Sequence, residues 1–222
     1  MDFEKFIIDN INKLSGKYTP YQIFTDWVTM LAIAIQNSCK LIHDKIYEER
    51  EETYKTIAKR YTEDELKILG DMCGALAIIL EDRFSDVLGE IYMLSGCGCK
   101  KTGQFFTPYH LSYLTAKLVY EEHINQLGED EKIEINEPST GGGGMLIAIA
   151  QVMKEKNINY QKRLHVIAQD LDWNGVYMTY IQLSLLGVKA TVVQGDTLHE
   201  PYRKGYDERR LFRTPTEMGL LL

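Results

Sequence analysis

A run of four glycines is the stretch of the chain whose residue types point most directly to chemistry. It ends the motif NEPSTGGGG at residues 136–144, between a predicted strand at 132–136 and a predicted helix at 144–156. Bare backbone at such a junction lets a nucleotide-like group approach and receive N–H donors from the helix start. A flexible glycine turn is the alternative, because the run is neither a GxGxxG nor a P-loop motif.

Acidic residues follow the next two predicted strands. Asp170 comes after the strand at 164–169, and Asp196 comes after the strand at 190–194. Both are expected at the carboxyl edge of the sheet beside the glycines, where open α/β sheets bind ligands. The first carboxylate could accept hydrogen bonds from two ribose hydroxyls and the second from an exocyclic amine. Each aspartate alone is an ordinary residue at a strand end, whereas the combination indicates a nucleotide-like ligand.

Two regions of different sequence texture must position these residues. The first predicts helices throughout: one opened by Pro20, one opened by the capping box Thr62–Glu65, and one at 86–94. After a glycine-rich joint at 95–103, strands alternate with helices, which requires right-handed crossovers and a parallel sheet. We therefore predict an all-helical domain at residues 1–100 and an α/β domain at residues 101–222.

Four motifs in this order resemble the adenine-N6 DNA methyltransferases, and most closely the modification subunit of type I restriction-modification systems. They are GQFFTP at 103–108, NEPSTGGGG at 136–144, AQDLD at 168–172 and GDTL at 195–198. The segment DVLGEIY at 86–92 is also similar to the one that precedes GQFFTP in those subunits. The resemblance implies a Rossmann-like methyltransferase sheet preceded by a helical N-terminal domain.

The resemblance also implies S-adenosylmethionine as the cofactor. Thr107 would bind its carboxylate, Glu137 would face its amino group, Asp170 would hold the ribose, and Asp196 would accept from the adenine amine. Trp173 would border the adenine ring or serve only in packing. The predicted cofactor-binding residues are Phe105, Phe106, Thr107, Pro108, Glu137, Pro138, Ser139, Gly141, Gly143, Asp170, Leu171, Asp196 and Thr197.

The catalytic motif of that family, Asp/Asn-Pro-Pro-Tyr/Phe, does not occur in the 222 residues. In the family it binds the target amine and stacks on the flipped base. We therefore predict no catalytic residue in this chain, and methyl transfer to adenine in DNA only when a partner completes the site. The alternative is a catalytically inactive binding or regulatory protein of the anti-restriction type. A methyltransferase of small molecules or RNA is a third hypothesis.

The resemblance further implies a truncated sheet, whose first strand would be an edge with unpaired backbone groups. The candidates to cover that edge are the tail at 210–213 or 218–222, the helical domain, or a second subunit. We therefore expect a partner subunit or a homodimer. Basic side chains of the tail could contact phosphate or be solvated; they are Arg203, Lys204, Arg209, Arg210 and Arg213.

Composition argues against several other classes of function. The chain is 45% hydrophobic, and its longest apolar run, at 28–35, is shorter than the ~20 residues of a membrane span. No secretory signal opens it, so we expect a cytoplasmic protein without membrane contact. Cys97 and Cys99 lack a second ligand pair, so we expect no metal. The net charge of −7 argues against tight non-specific DNA binding, although a local patch could still bind DNA.

Overall fold

The computed structural model of the protein describes residues 2–96 and 106–220. Its helices are α1 (Phe3–Leu14), α2 (Pro20–Ser38), α3 (Lys45–Ala58), α4 (Glu63–Asp82), α5 (Val87–Leu94), α6 (Tyr109–Asn125), α7 (Gly144–Glu155), α8 (Tyr160–Arg163) and α9 (Trp173–Leu185). Its strands are β1 (Ile133–Glu137), β2 (Leu164–Asp170), β3 (Lys189–Gln194) and β4 (Leu211–Arg213). The domain boundary predicted near residue 100 lies outside the described residues.

Side-chain caps start the helices of the first region. The Glu65 N–H donates to the Thr62 hydroxyl while the Thr62 N–H donates to the Glu65 carboxylate, so the predicted capping box is confirmed. The Thr19 hydroxyl accepts from the Gln22 N–H just before Pro20, which opens α2 as predicted. A cap of this kind stabilises a helix by about 1 kcal/mol.

The helical region packs on the α/β region chiefly through α2. This is the buried helix that the apolar run predicts, and Phe24, Trp27 and Val28 are almost fully inaccessible to solvent. On one side α2 packs on α3, and on another it packs on α9. Asn174 of α9 also donates to the Thr25 hydroxyl, at 3.2 Å. One hydrophobic cluster therefore runs through both regions.

The strands β1, β2 and β3 form the parallel sheet that the alternation of strands and helices predicts. β2 lies in the middle, with Ile133 of β1 opposite Leu164 and Ala190 of β3 opposite Val166. α7 and α8 connect β1 to β2, and α9 connects β2 to β3. Because the three strands run the same way, the loops that follow them leave from one edge of the sheet.

A fourth strand corrects an expectation about the tail. β4 pairs antiparallel with β3, with Phe212 opposite Val192, and not with β1. Phe212 packs against the Tyr180 ring of α9, with centroids 5.1 Å apart, and Arg50 of α3 donates to the Leu211 carbonyl at 2.7 Å. These contacts hold the tail beside β3, so the interpretation that residues 210–213 cover β1 is wrong. Among the described residues, β1 is an outer strand, as predicted.

The predicted α/β fold class is confirmed: a helical region precedes a small, mostly parallel sheet. No helix within residues 2–96 and 106–220 combines the length and the apolar character that a membrane crossing needs.

Candidate functional site

The glycine loop (residues 138–143) joins β1 to α7 at the carboxyl edge of the sheet. Two of its positions adopt left-handed backbone conformations, with φ of +55° at Gly141 and +90° at Gly143. Side chains are disfavoured there, which explains the requirement for glycine. The Gly141 N–H donates to Asp170 Oδ2 at 2.8 Å, so the acid at the end of β2 holds the loop directly.

Helix α9 holds the loop from below through two buried side chains. The Thr179 hydroxyl donates to the Gly141 carbonyl at 2.9 Å, and Gln182 Nε2 donates to the Gly142 carbonyl at 2.7 Å. The two side chains are three residues apart and therefore share one face of the helix. Both are fully buried, and their hydrogen bonds satisfy backbone groups that water cannot reach. Neither Thr179 nor Gln182 belongs to one of the motifs that predicted the site.

Helix α5 supplies a third support, from the helical region. Asp86 caps this helix by accepting from the Gly89 N–H at 3.0 Å, and it also accepts from Gln182 Nε2 at 2.9 Å. A Cβ at Gly142 would lie only 2.3 Å from Asp86 Oδ1, so the loop and the carboxylate fit together only with glycine at this position. Asp86 thus ties the helical region to the glycine loop.

These elements enclose a cavity of about 390 Å³, within the size range of small-molecule sites. Six of the predicted cofactor-binding residues line it: Phe106, Thr107, Glu137, Ser139, Gly141 and Asp170. Seven further lining residues were not among the predicted set: Asp86, Ser112, Thr140, Gly142, Gly144, Met145 and Gly175. The NEPSTGGGG motif already contains three of these seven, and the DVLGEIY segment contains Asp86.

The other predicted residues lie around this cavity rather than in its lining. Pro108 caps α6, Gly143 caps α7, and Leu171 is exposed. The Pro138 carbonyl accepts from the Thr197 hydroxyl at 2.7 Å, which joins the loops that follow β1 and β3. Phe105 lies outside the described residues.

Asp196 lies after β3 and uses its carboxylate locally. Its Oδ2 is 2.7 Å from His199 Nδ1, and its Oδ1 accepts from the Leu198 N–H at 2.9 Å. The hydrogen bond with His199 lowers the pKa of Asp196, and the bond from Leu198 acts in the same direction. Asp196 is therefore a charged surface residue beside the cavity.

The carboxylates in the cavity have the opposite electrostatic character. Burial raises the pKa of Asp170, although hydrogen bonds from the N–H groups of Asp172 and Gly141 oppose that shift. Burial raises the pKa of Asp86 as well. Three acidic side chains line the cavity, the third being Glu137, whereas its described lining includes no Lys, Arg or His. The cavity is therefore suited to a ligand that carries positive charge.

The basic side chains of the tail are largely paired with carboxylates. Arg209 bonds Asp207, Arg210 bonds Glu200 at 2.9 Å, and Arg213 bonds Glu208. Arg203 and Lys204 border a shallow surface depression instead. The sequence left two interpretations of these side chains open, contact with phosphate and solvation. The three ion pairs favour neither contact nor solvation directly, but they leave fewer free positive charges for phosphate.

The Trp173 ring stacks on Tyr177, with centroids 5.3 Å apart, and meets Phe212 edge to face, so its ring contacts are with protein. Within the described ranges no group of His, Cys, Asp and Glu side chains has the arrangement of a metal site. Cys97 and Cys99 lie outside those ranges.

A model of the N-6 DNA methylase family matches residues 83–212, which is more than half of the chain. The chain belongs to the N-6 DNA methylase family. The match begins just before Asp86 and ends at Phe212, so it includes the cap of α5, the glycine loop and two of the three residues of β4. No curated protein matches this N-6 DNA methylase family member.

Two solved structures illustrate what this family member is similar to. One is a protein from Listeria monocytogenes provisionally described as a class I S-adenosylmethionine-dependent methyltransferase, with 15% identity and a TM-score of 0.48; the match covers 88% of this chain and 53% of that one. The other is the methyltransferase subunit of a type I restriction-modification system from Streptococcus thermophilus, with 17% identity and a TM-score of 0.46, covering 88% and 43%. The chain spans about half the length of these proteins.

Proposed function

We propose that this chain binds S-adenosylmethionine in the cavity above the glycine loop. The observation that carries the proposal is the cavity itself, since bare backbone and three carboxylates line it at the carboxyl edge of a parallel sheet. S-adenosylmethionine bears a sulfonium and an ammonium cation, and an adenosine that must lie against backbone. The residues present therefore fit this cofactor in charge and in shape.

Individual residues have distinct roles in this proposal. Asp170 would hold the ribose hydroxyls, because the N–H groups of Gly141 and Asp172 already fix the orientation of its carboxylate. Glu137 would face the cofactor amino group, and its Oε1 accepts from the Ser139 N–H. When bound, the cofactor supplies an activated methyl group. Binding, orientation and exclusion of water are the tasks of the chain's own residues.

For transfer, we propose adenine N6 in DNA as the acceptor, which is the chemistry that the family name describes. The 222 residues contain no Asp/Asn-Pro-Pro-Tyr/Phe motif, so a partner subunit would have to position the amine. We place the complex in a cytoplasmic restriction-modification system. Outer strand β1 and the tail beside β3 offer two different edges to such a partner.

A binding-only role is the second candidate, and the missing catalytic motif favours it. In that case the chain would bind the cofactor and associate with DNA or a partner as a regulatory, anti-restriction type of protein without transferring a methyl group. The two candidates share the cofactor site and differ in turnover alone.

Thermal unfolding with a panel of ligands tests the cofactor proposal. S-adenosylmethionine and S-adenosylhomocysteine should each raise Tm, whereas ATP and NAD should not. A ligand at a hundredfold excess over its Kd stabilises the folded state by about 2.7 kcal/mol. Equal shifts with all four ligands would indicate a generic adenosine site and would contradict the proposal.

A methyl-transfer assay separates the two candidates. The chain, labelled S-adenosylmethionine and unmethylated DNA are combined with and without candidate partner subunits. Label at adenine N6 that requires both this chain and the partner supports the transferase. Cofactor binding with no label under any combination supports the binding-only role.

A further inference from the structure

Asp86 is a buried carboxylate at the cavity for which the proposed function so far has no use. It comes from the helical region, lines the cavity and is only 4% exposed. Its Oδ1 accepts both hydrogen bonds that the structure gives it, from the Gly89 N–H at 3.0 Å and from Gln182 Nε2 at 2.9 Å. Among residues 2–96 and 106–220, no donor bonds Oδ2.

Within the described part of the chain no Lys, Arg or His forms an ion pair with Asp86. The neighbouring charge, on Glu90, has the same sign as that of the Asp86 carboxylate. An ionised carboxylate buried without a cation or a full set of donors is costly. A ligand that brings both a positive charge and a donor would remove that cost.

The glycine loop leaves room for the carboxylate to reach the backbone at the start of α7. A Cβ at Gly142 would lie 2.4 Å from Oδ2, and a Cβ at Gly144 would lie 3.5 Å from it. Oδ2 therefore lies beside two positions of the motif that have no side chain. None of the described donors bonds Oδ2, and Asp86 is part of the cavity lining.

We propose that Asp86 binds the α-ammonium group of S-adenosylmethionine through Oδ2, together with Glu137, since the three N–H donors of an ammonium can bond both carboxylates. This inference rests on the proposed function. The ammonium is the group of that cofactor that supplies a positive charge and hydrogen-bond donors together. The sulfonium has charge but no N–H, and the adenine amine has N–H but no charge. Asp86 thereby makes the helical region part of the cofactor site.

The substitution Asp86→Asn tests this role without removing the helix cap. Asparagine is as good an N-cap as aspartate, and its oxygen can still accept from Gly89 and Gln182. The negative charge and the free acceptor are lost. Asp44→Asn is the matched control, because Asp44 caps α3 by accepting from the Tyr47 N–H and does not line the cavity.

Calorimetric titrations compare three ligands on the full chain and on both variants. S-adenosylmethionine carries the ammonium and the sulfonium, S-adenosylhomocysteine carries the ammonium alone, and 5′-methylthioadenosine carries neither. We expect Asp86→Asn to weaken the first two about 10- to 100-fold, the range for one lost hydrogen bond between charged groups. Its affinity for 5′-methylthioadenosine should match that of the wild type, and Asp44→Asn should change none of the three.

Several results would overturn the assignment. Unchanged affinity for every ligand would remove Asp86 from the site, and an equal loss for all three would give it a purely structural role. A loss for S-adenosylmethionine alone would move its contact to the sulfonium. If the wild type bound none of the ligands, the proposed function itself would fail. That outcome differs from a failure of the Asp86 assignment, in which the wild type binds the ligands and the variant binds them equally well.

Discussion

The glycine loop and the β3–β4 loop (residues 195–210) both leave the carboxyl edge of the sheet, but they are held in different ways. Side chains from three elements fix the glycine loop: Asp170 of β2 and Gln182 of α9 bond its backbone, and Asp86 at α5 packs against Gly142. The β3–β4 loop is held by ion pairs at the surface and, at Glu200 and Tyr202, by two backbone hydrogen bonds with the buried Gln169 side chain. Exposed pairs contribute little to stability, whereas buried polar contacts are costly to break.

The difference indicates where the fold specifies a ligand. A loop with positive φ values, a carboxylate against its backbone and no cation among the described residues of its cavity is preorganised for something outside the chain. A loop whose charges already pair with one another requires no ligand. The cofactor side of the site is therefore built into this chain, and four sets of substitutions test that contrast.

The largest effect is expected from Gly142→Ala. The new Cβ would overlap the Asp86 carboxylate, and moving that buried group would break its bonds to Gly89 and Gln182. We expect a loss of about 3 kcal/mol in the free energy of unfolding, together with loss of cofactor binding. Urea denaturation and calorimetry measure the two quantities.

Gly74→Ala is the control for that substitution, since Gly74 lies within α4 with open space around its Cα. It should stabilise the chain by up to about 1 kcal/mol. A Gly142→Ala variant that unfolded like the wild type and still bound the cofactor would show that the loop is not tightly fitted.

The next effect compares one carboxylate from each loop. Asp170→Ala should weaken S-adenosylmethionine binding by about 1–3 kcal/mol, because charge-assisted bonds to the ribose and the support of Gly141 are both lost. Asp196→Ala should weaken binding less than Asp170→Ala does, because that carboxylate is engaged with His199 at the surface. Equal losses of affinity for S-adenosylmethionine in calorimetric titrations would show that the two loops contribute equally to binding and would contradict this contrast.

A comparable effect concerns the tail. Arg50→Ala should lower the free energy of unfolding by about 1.5–3 kcal/mol, because Arg50 is buried, donates to the Leu211 carbonyl and lies over the Phe212 ring at 4.3 Å. Arg209→Ala removes an exposed pair with Asp207 and should stay within about 0.5 kcal/mol of the wild type. Urea denaturation that ranked the two variants in the opposite order would contradict the packing of β4.

The smallest effect is a pH dependence of the ligand-free protein. Because burial raises the pKa of Asp86, the folded state holds a proton there that the unfolded chain has already released. Asp86 therefore contributes stability that falls as pH rises from the ordinary aspartate pKa through the raised value. Asp86→Asn should be more stable than the wild type at neutral pH, with the difference shrinking toward pH 4 in thermal unfolding. A constant difference across the range would exclude this titration.

Much of the fold was predictable from the sequence because local signals were strong. The capping box, Pro20 and the alternation after residue 130 predicted the helices and strands that carry the site to within a few residues. Six residues of the cavity lining belong to motifs that the sequence singles out. Glu137, Ser139, Gly141 and Asp170 lie at or after strand ends, whereas Phe106 and Thr107 were named only through the family resemblance.

The remainder depends on contacts between segments that are distant in the sequence. Asp86 has the pattern of an ordinary helix cap, and its second role exists only because α5 meets Gln182 and Gly142 in the fold. The strand β4 has three residues flanked by charges, too few to show an alternating pattern. Its position beside β3 follows from the contacts of Phe212 and Arg50, which no local pattern encodes.

The most direct test of the central claim is a calorimetric titration of the wild-type chain with S-adenosylmethionine. The account predicts saturable binding of one ligand per chain in the micromolar range, without added metal or partner. Absence of binding at millimolar ligand would contradict this prediction, because the cavity of carboxylates and bare backbone would then not be a cofactor site.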